Sequence, residues 1–74
     1  MVSTSDVEYR GYKINAYAAG LDAPFRGKFV VMKADNVISP VARGSVDDLP
    51  TYLDARVRAL DAGKAAVDRL LSAN

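Results

Sequence analysis

The chain contains no cysteine, no histidine and no tryptophan, and it has a single glutamate among its 74 residues. Without cysteine there can be no disulfide and no thiolate metal site. General acid–base and nucleophilic catalysis normally depend on groups that titrate near neutral pH, most often histidine and cysteine. The lone glutamate, Glu8, lies at the start of a predicted strand, where we expect water to surround it. We therefore predict a protein that is not an enzyme and holds no metal and no cofactor.

Long apolar runs and an excess of one charge sign are also missing. The longest apolar run covers residues 29–32, whereas a membrane-spanning helix needs about 20 apolar residues. The first five residues have neither a basic cluster nor an apolar segment, so no signal peptide is expected. The net charge of +1 gives no overall field that would attract nucleic acid or an anionic membrane. These features predict a soluble, cytoplasmic protein with no membrane contact.

Apolar residues are plentiful, at 50% of the chain, which is ample for a folded domain. A chain of 74 residues is near the size at which one hydrophobic core is only just sufficient. Because no disulfide can add stability, self-association is one of the remaining ways to bury more surface. We predict a flexible tail over residues 1–6, a single domain over residues 7–74, and a homodimer.

Two-residue alternation in the first part of the chain predicts an antiparallel sheet. Apolar and polar side chains alternate over residues 9–18, which is typical of a half-buried strand. Gly11 marks a bulge or a break near the start of this strand. Two more strands are predicted over residues 28–34 and 37–42. Because Pro40 cannot donate a hydrogen bond to a neighbouring strand, the last strand is predicted to lie at an edge.

The last third of the chain predicts one long helix over residues 47–72. Ser45, Asp47 and Asp48 offer cap oxygens at its start, and acidic residues there suit the helix dipole. The fold class is therefore α+β, with a three-stranded antiparallel sheet packed against one C-terminal helix in the order β-β-β-α. Residues spaced three and four apart form a stripe that is predicted to face the sheet: Leu49, Leu53, Val57, Leu60, Lys64, Val67 and Leu71.

Two residues of the predicted helix depart from local rules. Lys64 is the one polar member of the stripe; either its ammonium group reaches water along the edge of the core, or it forms a buried pair with a carboxylate, which would indicate a functional site. Gly63 costs about 1 kcal/mol relative to alanine inside a helix. It therefore either lets another backbone approach closely or marks a bend in the helix.

A second apolar flank, made mostly of alanine, lies beside this stripe. Because alanine is the best helix former and needs no partner, the flank can be ordinary surface. It can also pack closely against the helix of a second copy across a two-fold axis. A helix of about 25 residues spans about 37 Å and overhangs a strand of about 23 Å, which favours the second interpretation. The predicted dimer interface is Tyr52, Ala55, Ala59, Ala62, Ala66 and Leu70.

The solvated face of the predicted sheet is the alternative functional surface. Basic side chains beside an aromatic ring could hold single-stranded nucleic acid through phosphate contacts and base stacking. The same composition occurs on ordinary solvated sheet faces, where lysine also protects strand edges. This alternative, a nucleic-acid-binding or antitoxin-like protein, would use Lys13, Tyr17, Arg26, Lys28 and Lys33.

A family resemblance is carried by short motifs at residues 9–14 (Tyr-Arg-Gly-Tyr-Lys-Ile), 27–29 (Gly-Lys-Phe) and 59–68 (Ala-Leu-Asp-Ala-Gly-Lys-Ala-Ala-Val-Asp). They resemble a group of small uncharacterised proteobacterial β-β-β-α proteins. The predicted turn at Asp35–Asn36, where both residues tolerate positive φ, stands where those proteins tend to have Asp-Gly. The topology is also similar to the double-stranded-RNA-binding-like fold of HicB-type antitoxins. The resemblance implies the β-β-β-α fold and no particular activity.

Overall fold

The computed structural model describes residues 4–72, and the side chains of residues 6–35 and 40–72. The strands form one antiparallel sheet in which each strand pairs with the next along the chain, and a helix follows them. The predicted α+β class, with an antiparallel sheet and a C-terminal helix, is confirmed. The prediction of three strands is wrong, because the sheet has four. The elements are β1 (Thr4–Tyr9), β2 (Tyr12–Ala19), β3 (Phe25–Lys33), β4 (Asn36–Leu49) and α1 (Tyr52–Ser72).

The additional strand arises because the predicted strand over residues 9–18 is in fact the turn and second half of a hairpin. Arg10 and Gly11 have φ angles of 52° and 85°, and two successive positive φ angles are the signature of a type I′ hairpin turn. Residues 4–6 consequently belong to β1 and not to a tail. The remainder of the predicted tail, residues 1–3, lies outside the described residues.

The turn between β3 and β4 lies one residue earlier than predicted. Lys33 pairs with Asn36 across the two strands, so the connecting residues are Ala34–Asp35 and not Asp35–Asn36. Pro40 does lie in an edge strand, as predicted, because β4 pairs only with β3. The pairing register shifts close to this proline, which is where a residue that cannot donate is tolerated in a sheet.

The helix begins later than predicted. Alternation of half-buried and exposed side chains continues along β4, so Ser45–Asp48 are strand residues and do not cap the helix. The helix starts at Tyr52 instead of residue 47 and ends where it was predicted to end. Its cap is Thr51, whose Oγ1 accepts a hydrogen bond from the backbone N–H of Asp54 at 3.0 Å. This is the usual hydrogen bond of an N-cap residue.

The helix contacts the sheet with a different face from the predicted one. Leu53 and Val57 are 58% and 44% exposed, so the prediction that they face the sheet is wrong. Val67 is fully buried, and Leu60 and Leu71 pack against the core from its margin. The prediction that the stripe faces the sheet therefore holds only in the second half of the helix. The other helix residues buried against the sheet are small: Ala55, Ala59, Gly63 and Ala66.

Two glycines explain why small residues face the sheet. A Cβ atom on Gly27 in β3 would overlap the backbone carbonyl oxygen of Ala55, and one on Gly63 would lie 2.6 Å from Cγ2 of Ile14. The helix therefore approaches the sheet too closely for leucine or valine to fit between them along this line. Of the two interpretations of Gly63, close approach is the one that the structure supports, and α1 is continuous through this position.

Specific contacts hold both ends of the helix on the sheet. At its start, the ring of Tyr52 stacks at 4.2 Å between centroids on the ring of Phe25, and its hydroxyl donates to the carbonyl oxygen of Gly20. At its end, Asp68 binds the β1–β2 hairpin, where it accepts hydrogen bonds from the Tyr9 hydroxyl at 3.0 Å and from Arg10 Nη1 at 2.8 Å. The long axis of the helix is thereby fixed relative to the strands.

Charge contributes to the contact at the helix end. The hydrogen bond from Arg10, and after it the one from Tyr9, lowers the pKa of Asp68 below its ordinary value of 3.8. The same contact raises the pKa of Arg10. The ammonium group of Lys64 lies 5.8 Å from the centre of the Tyr9 ring, in the range of a cation–π contact. Lys64 is partly exposed, which fits the interpretation that its ammonium group reaches the edge of the core.

Candidate functional site

The helix covers one face of the sheet and leaves the other face without a layer from the described part of the chain. Along β2, Ile14, Ala16 and Ala18 are buried beneath the helix, and because side chains alternate along a strand, the residues between them lie on the opposite side. We call this second side the open face. Its side chains are Asp6 and Glu8 from β1, Lys13, Asn15 and Tyr17 from β2, Lys28, Val30 and Met32 from β3, and Arg43 and Ser45 from β4.

The strand register arranges these side chains in rows across the sheet. Directly opposite residues on neighbouring strands have Cβ atoms about 5 Å apart, so their side chains contact one another. Each row therefore acts as a continuous strip of surface from one sheet edge to the other. The three central rows are Asp6–Asn15–Val30–Arg43, Tyr17–Lys28–Ser45 and Glu8–Lys13–Met32–Pro40.

The middle of the open face is apolar. Tyr17, Val30 and Met32 are half-buried although no second layer covers them. A shallow groove of about 400 Å³ crosses this area, with Val30 and Met32 on one side and Lys13, Asn15 and Asp6 on the other. An antiparallel sheet can have one solvated face, but the outward residues of such a face are normally polar. A contiguous apolar patch with a polar rim is typical of an interaction surface.

The charges of the open face are distributed unevenly between its two edges. Asp6 and Glu8 lie on the β1 edge, whereas Arg43 lies on the β4 edge and Lys28 on the neighbouring β3. Asp6 also accepts a hydrogen bond of 3.4 Å from the side-chain amide of Asn15, which orients its carboxylate on this face. The β1 edge is therefore acidic, whereas the β4 edge carries Arg43 together with Asp47, whose carboxylate is already paired with Arg26.

The structure brings together most of the predicted nucleic-acid contacts. Arg26 lies at the end of the open face, where its Nε atom forms an ion pair with Asp47 Oδ1 at 2.6 Å. A phosphate group would have to compete with this carboxylate for the guanidinium group. Lys33 lies opposite Tyr12 and on the side of the sheet that carries the helix. The remaining three predicted residues lie on the open face: Lys13, Tyr17 and Lys28.

The predicted dimer interface is the face of the helix that packs on the chain's own sheet. Ala55 and Ala59 are 0% exposed, and Ala66 is 7% exposed. Ala62 packs against the core from its margin, and Tyr52 and Leu70 are half-buried. Ala55, Ala59 and Ala66 are therefore covered by the chain's own sheet, whereas Tyr52, Ala62 and Leu70 stay partly exposed.

The apolar centre of the open face is the feature that sequence reasoning missed. Its signal is present in the alternation of β3, where Lys28, Val30 and Met32 occupy every second position and so share one face. From the sequence, only the basic residues and Tyr17 of this face were predicted to take part in binding. Because the alanine-rich flank of the helix, and not the predicted stripe, faces the sheet at the start of the helix, Leu53 and Val57 are exposed. We call these two residues the helix strip.

Several classes of site are not found in the described part of the chain. Residues 4–72 contain no group of three potential metal ligands close enough to hold an ion. No helix among them is long and apolar enough to cross a membrane. A scan of protein-family models and searches of curated proteins and of solved structures give no match to this chain. The resemblance to small proteobacterial proteins and to HicB-type antitoxins therefore stays a prediction.

Proposed function

We propose that the protein is a cytoplasmic, non-enzymatic interaction module that forms a homodimer through the open face of its sheet. The observation that carries this proposal is the apolar patch of Tyr17, Val30 and Met32 at the centre of the open face, which no layer of the described chain covers. Small domains normally bury the apolar face of a sheet against another layer. A second copy would provide that layer.

The open face is a better dimer surface than the helix strip. Four strands hold its side chains at fixed spacings, so two such faces can pack as sheets do in a sandwich. The helix strip has two exposed apolar residues, Leu53 and Val57, on the convex surface of a single helix, where a partner gains little contact area. The inner strands of the open face carry Tyr17, Val30 and Met32 opposite Lys28, Asn15 and Lys13, so polar groups border the apolar patch.

Sedimentation velocity across a concentration series tests this proposal with a matched pair of substitutions. Val30→Glu places a carboxylate in the centre of the open face, and Val57→Glu makes the same change on the helix strip. From about 1 to 100 µM, the usual range for modest affinities, we expect a dimer for the wild type and for Val57→Glu, and a monomer for Val30→Glu. Circular dichroism spectra of the three proteins should be the same.

Two results would contradict the proposal. One is a wild-type protein that sediments as a monomer at all these concentrations. The other is a dimer that Val57→Glu dissociates and Val30→Glu leaves intact, which would move the interface to the helix strip. Either result would show that the apolar centre of the sheet is ordinary solvated surface.

Nucleic-acid binding is the second candidate function, and one observation favours it. Tyr17 and Lys28 are directly opposite in one row, so an aromatic ring and a cation are available side by side for stacking and phosphate contact. A mobility shift with a single-stranded oligonucleotide at low salt tests this candidate. Lys28→Glu should abolish binding while Lys33→Glu, a matched change away from the open face, should preserve it. No shift, or an equal effect of both variants, removes this candidate.

A further inference from the structure

We infer that the two copies pack with their open faces together about a two-fold axis parallel to the strands, so that β1 of each copy lies over β4 of the other. This inference rests on the proposed homodimer and adds its geometry. Three observations carry it: the order of the strands, the alignment of the rows, and the opposite charges of Asp6 and Arg43 at the two ends of the central row.

The strand order restricts how two open faces can be related by symmetry. A two-fold axis that runs parallel to the strands, between β2 and β3, reverses the strand order in the facing sheet. It leaves the height of each residue along the strands unchanged. Every row of one copy therefore faces the same row of the other copy in reverse, and β1 faces β4. A two-fold axis across the strands would instead place β1 over β1.

Charge complementarity selects the first of these two arrangements. In the central row, reversal places Asp6 of each copy over Arg43 of the other, because these residues are the two ends of the row. Face-to-face sheets lie about 10 Å apart, a gap that an aspartate and an arginine side chain span together. In the second arrangement, the acidic edge with Asp6 and Glu8 would face its own copy, which like-charge repulsion disfavours.

The inner strands are complementary in the same arrangement. Reversal of the next row places Tyr17 over Lys28 of the second copy, with the ring and the cation in position for a cation–π contact. In the third row, Lys13 lies over Met32, so that the aliphatic part of the lysine covers the thioether. In the central row, Val30 lies over Asn15 of the second copy, and contact between the two faces removes Val30 from water.

The size of the open face is consistent with a weak but specific dimer. Four strands at a spacing of about 4.8 Å, each contributing about eight residues at about 3.4 Å, give a face of roughly 500 Å². Two such faces bury roughly 1,000 Å², close to the lower limit for a specific interface. An interface of this size is typical of weak, transient complexes, in which the edge charges have a measurable effect on the dissociation constant.

A charge exchange tests the inferred arrangement. The dissociation constants of wild type, Asp6→Arg, Arg43→Asp and the double variant are measured by sedimentation equilibrium at low salt. Asp61→Arg, an equal change of charge at an exposed helix position, is the matched control. Because the axis creates each contact twice, both single variants should weaken the dimer by about tenfold or more. The double variant should regain most of this loss, and Asp61→Arg should stay within about twofold of wild type.

The outcomes separate this inference from the proposal on which it rests. A wild-type monomer would refute both. A wild-type dimer that all four charge variants leave unchanged would refute the arrangement and preserve the homodimer. A tighter dimer for Asp6→Arg alone would also refute it, because that result is expected when β1 faces β1. Recovery of affinity in the double variant, with both single variants weakened, is the result that supports the inferred axis.

Discussion

Substitution of Gly63 by alanine tests whether close contact with the sheet determines which helix face is buried. In an exposed helix this change stabilises a protein by about 1 kcal/mol, because glycine is the poorer helix former. Here the new Cβ atom would lie 2.6 Å from Cγ2 of Ile14 and 3.5 Å from the ring of Phe29. Ile14 is completely buried, so it has no free space into which to move.

The two effects of this substitution have opposite signs and can be compared. Overpacking of a filled core costs about 1–3 kcal/mol, which exceeds the gain of about 1 kcal/mol in helix propensity. We therefore expect Gly63→Ala to lower the free energy of unfolding by about 1 kcal/mol, and the melting temperature by roughly 4–8 °C for a domain of this size. Urea denaturation followed by circular dichroism measures this difference.

Two further variants show whether the loss comes from the contact with the sheet. Ala65→Gly changes an exposed position of the same helix and should cost about 1 kcal/mol through propensity alone. In an Ile14→Ala background, where the obstructing methyl group is absent, Gly63→Ala should become stabilising. If Gly63→Ala stabilises the wild-type protein by about 1 kcal/mol, the helix does not approach the sheet as described and the reasoning is refuted.

Three other predictions follow from the same packing and from the contact at the helix end. Gly27→Ala should cost about 3 kcal/mol or more in thermal denaturation, and more than Gly63→Ala, because a backbone carbonyl and not a side chain obstructs the new methyl group. Val67→Ala should cost about 2 kcal/mol, whereas Leu53→Ala should cost less than about 1 kcal/mol because Leu53 is 58% exposed; equal losses would contradict the observed helix face. The hydrogen bond from Arg10 lowers the pKa of Asp68 below 3.8, so its stabilising effect is present above this pH and disappears as the pH falls through the lower folded value. In acid titrations the stability difference between wild type and Asp68→Asn should shrink in that range, and a difference that persists at lower pH would be inconsistent with this contact.

The strands could be predicted where their patterns are local. Alternation over residues 9–18 and 28–34 identified most of β2 and β3, and Pro40 correctly indicated an edge. The hairpin turn at Arg10–Gly11 was less visible, because a non-glycine residue with φ of 52° gives little signal in a sequence. The predicted strand stopped at residue 42 because the acidic residues after Gly44 are typical of a helix start, although side-chain alternation continues as far as Asp47.

The buried face of the helix could not be predicted from the helix alone. Both of its apolar faces have suitable spacing, and the larger side chains favoured the stripe with Leu53 and Val57. The deciding information is non-local: Gly27 on β3 allows the helix backbone to come so close that only small side chains fit beneath it at Ala55 and Ala59. The consequence extends to function, because Ala55, Ala59 and Ala66, which were predicted to contact a partner, are buried in the core.

The candidate site was predictable only in part for a related reason. Alternation along β2 and β3 was sufficient to place Lys13, Tyr17 and Lys28 on one face. That Lys33 lies on the other side, and that Arg26 is paired with Asp47 at 2.6 Å, depends on the end of β3 and on the late course of β4. The acidic β1 edge was not anticipated either, because residues 4–6 were predicted to belong to a tail and Glu8 to the start of the next strand.

Isotope-filtered nuclear Overhauser spectroscopy tests the use of the open face most directly. A sample that mixes labelled and unlabelled wild-type chains reports only contacts between different copies, and it needs no substitution. Dimerisation through the open face predicts intermolecular cross-peaks to the Met32 methyl group and to the Tyr17 ring. The inferred two-fold axis assigns their partners to Lys13 and Lys28 of the second copy, respectively. Intermolecular cross-peaks confined to the methyl groups of Leu53 and Val57, or none at concentrations near a millimolar, would contradict it.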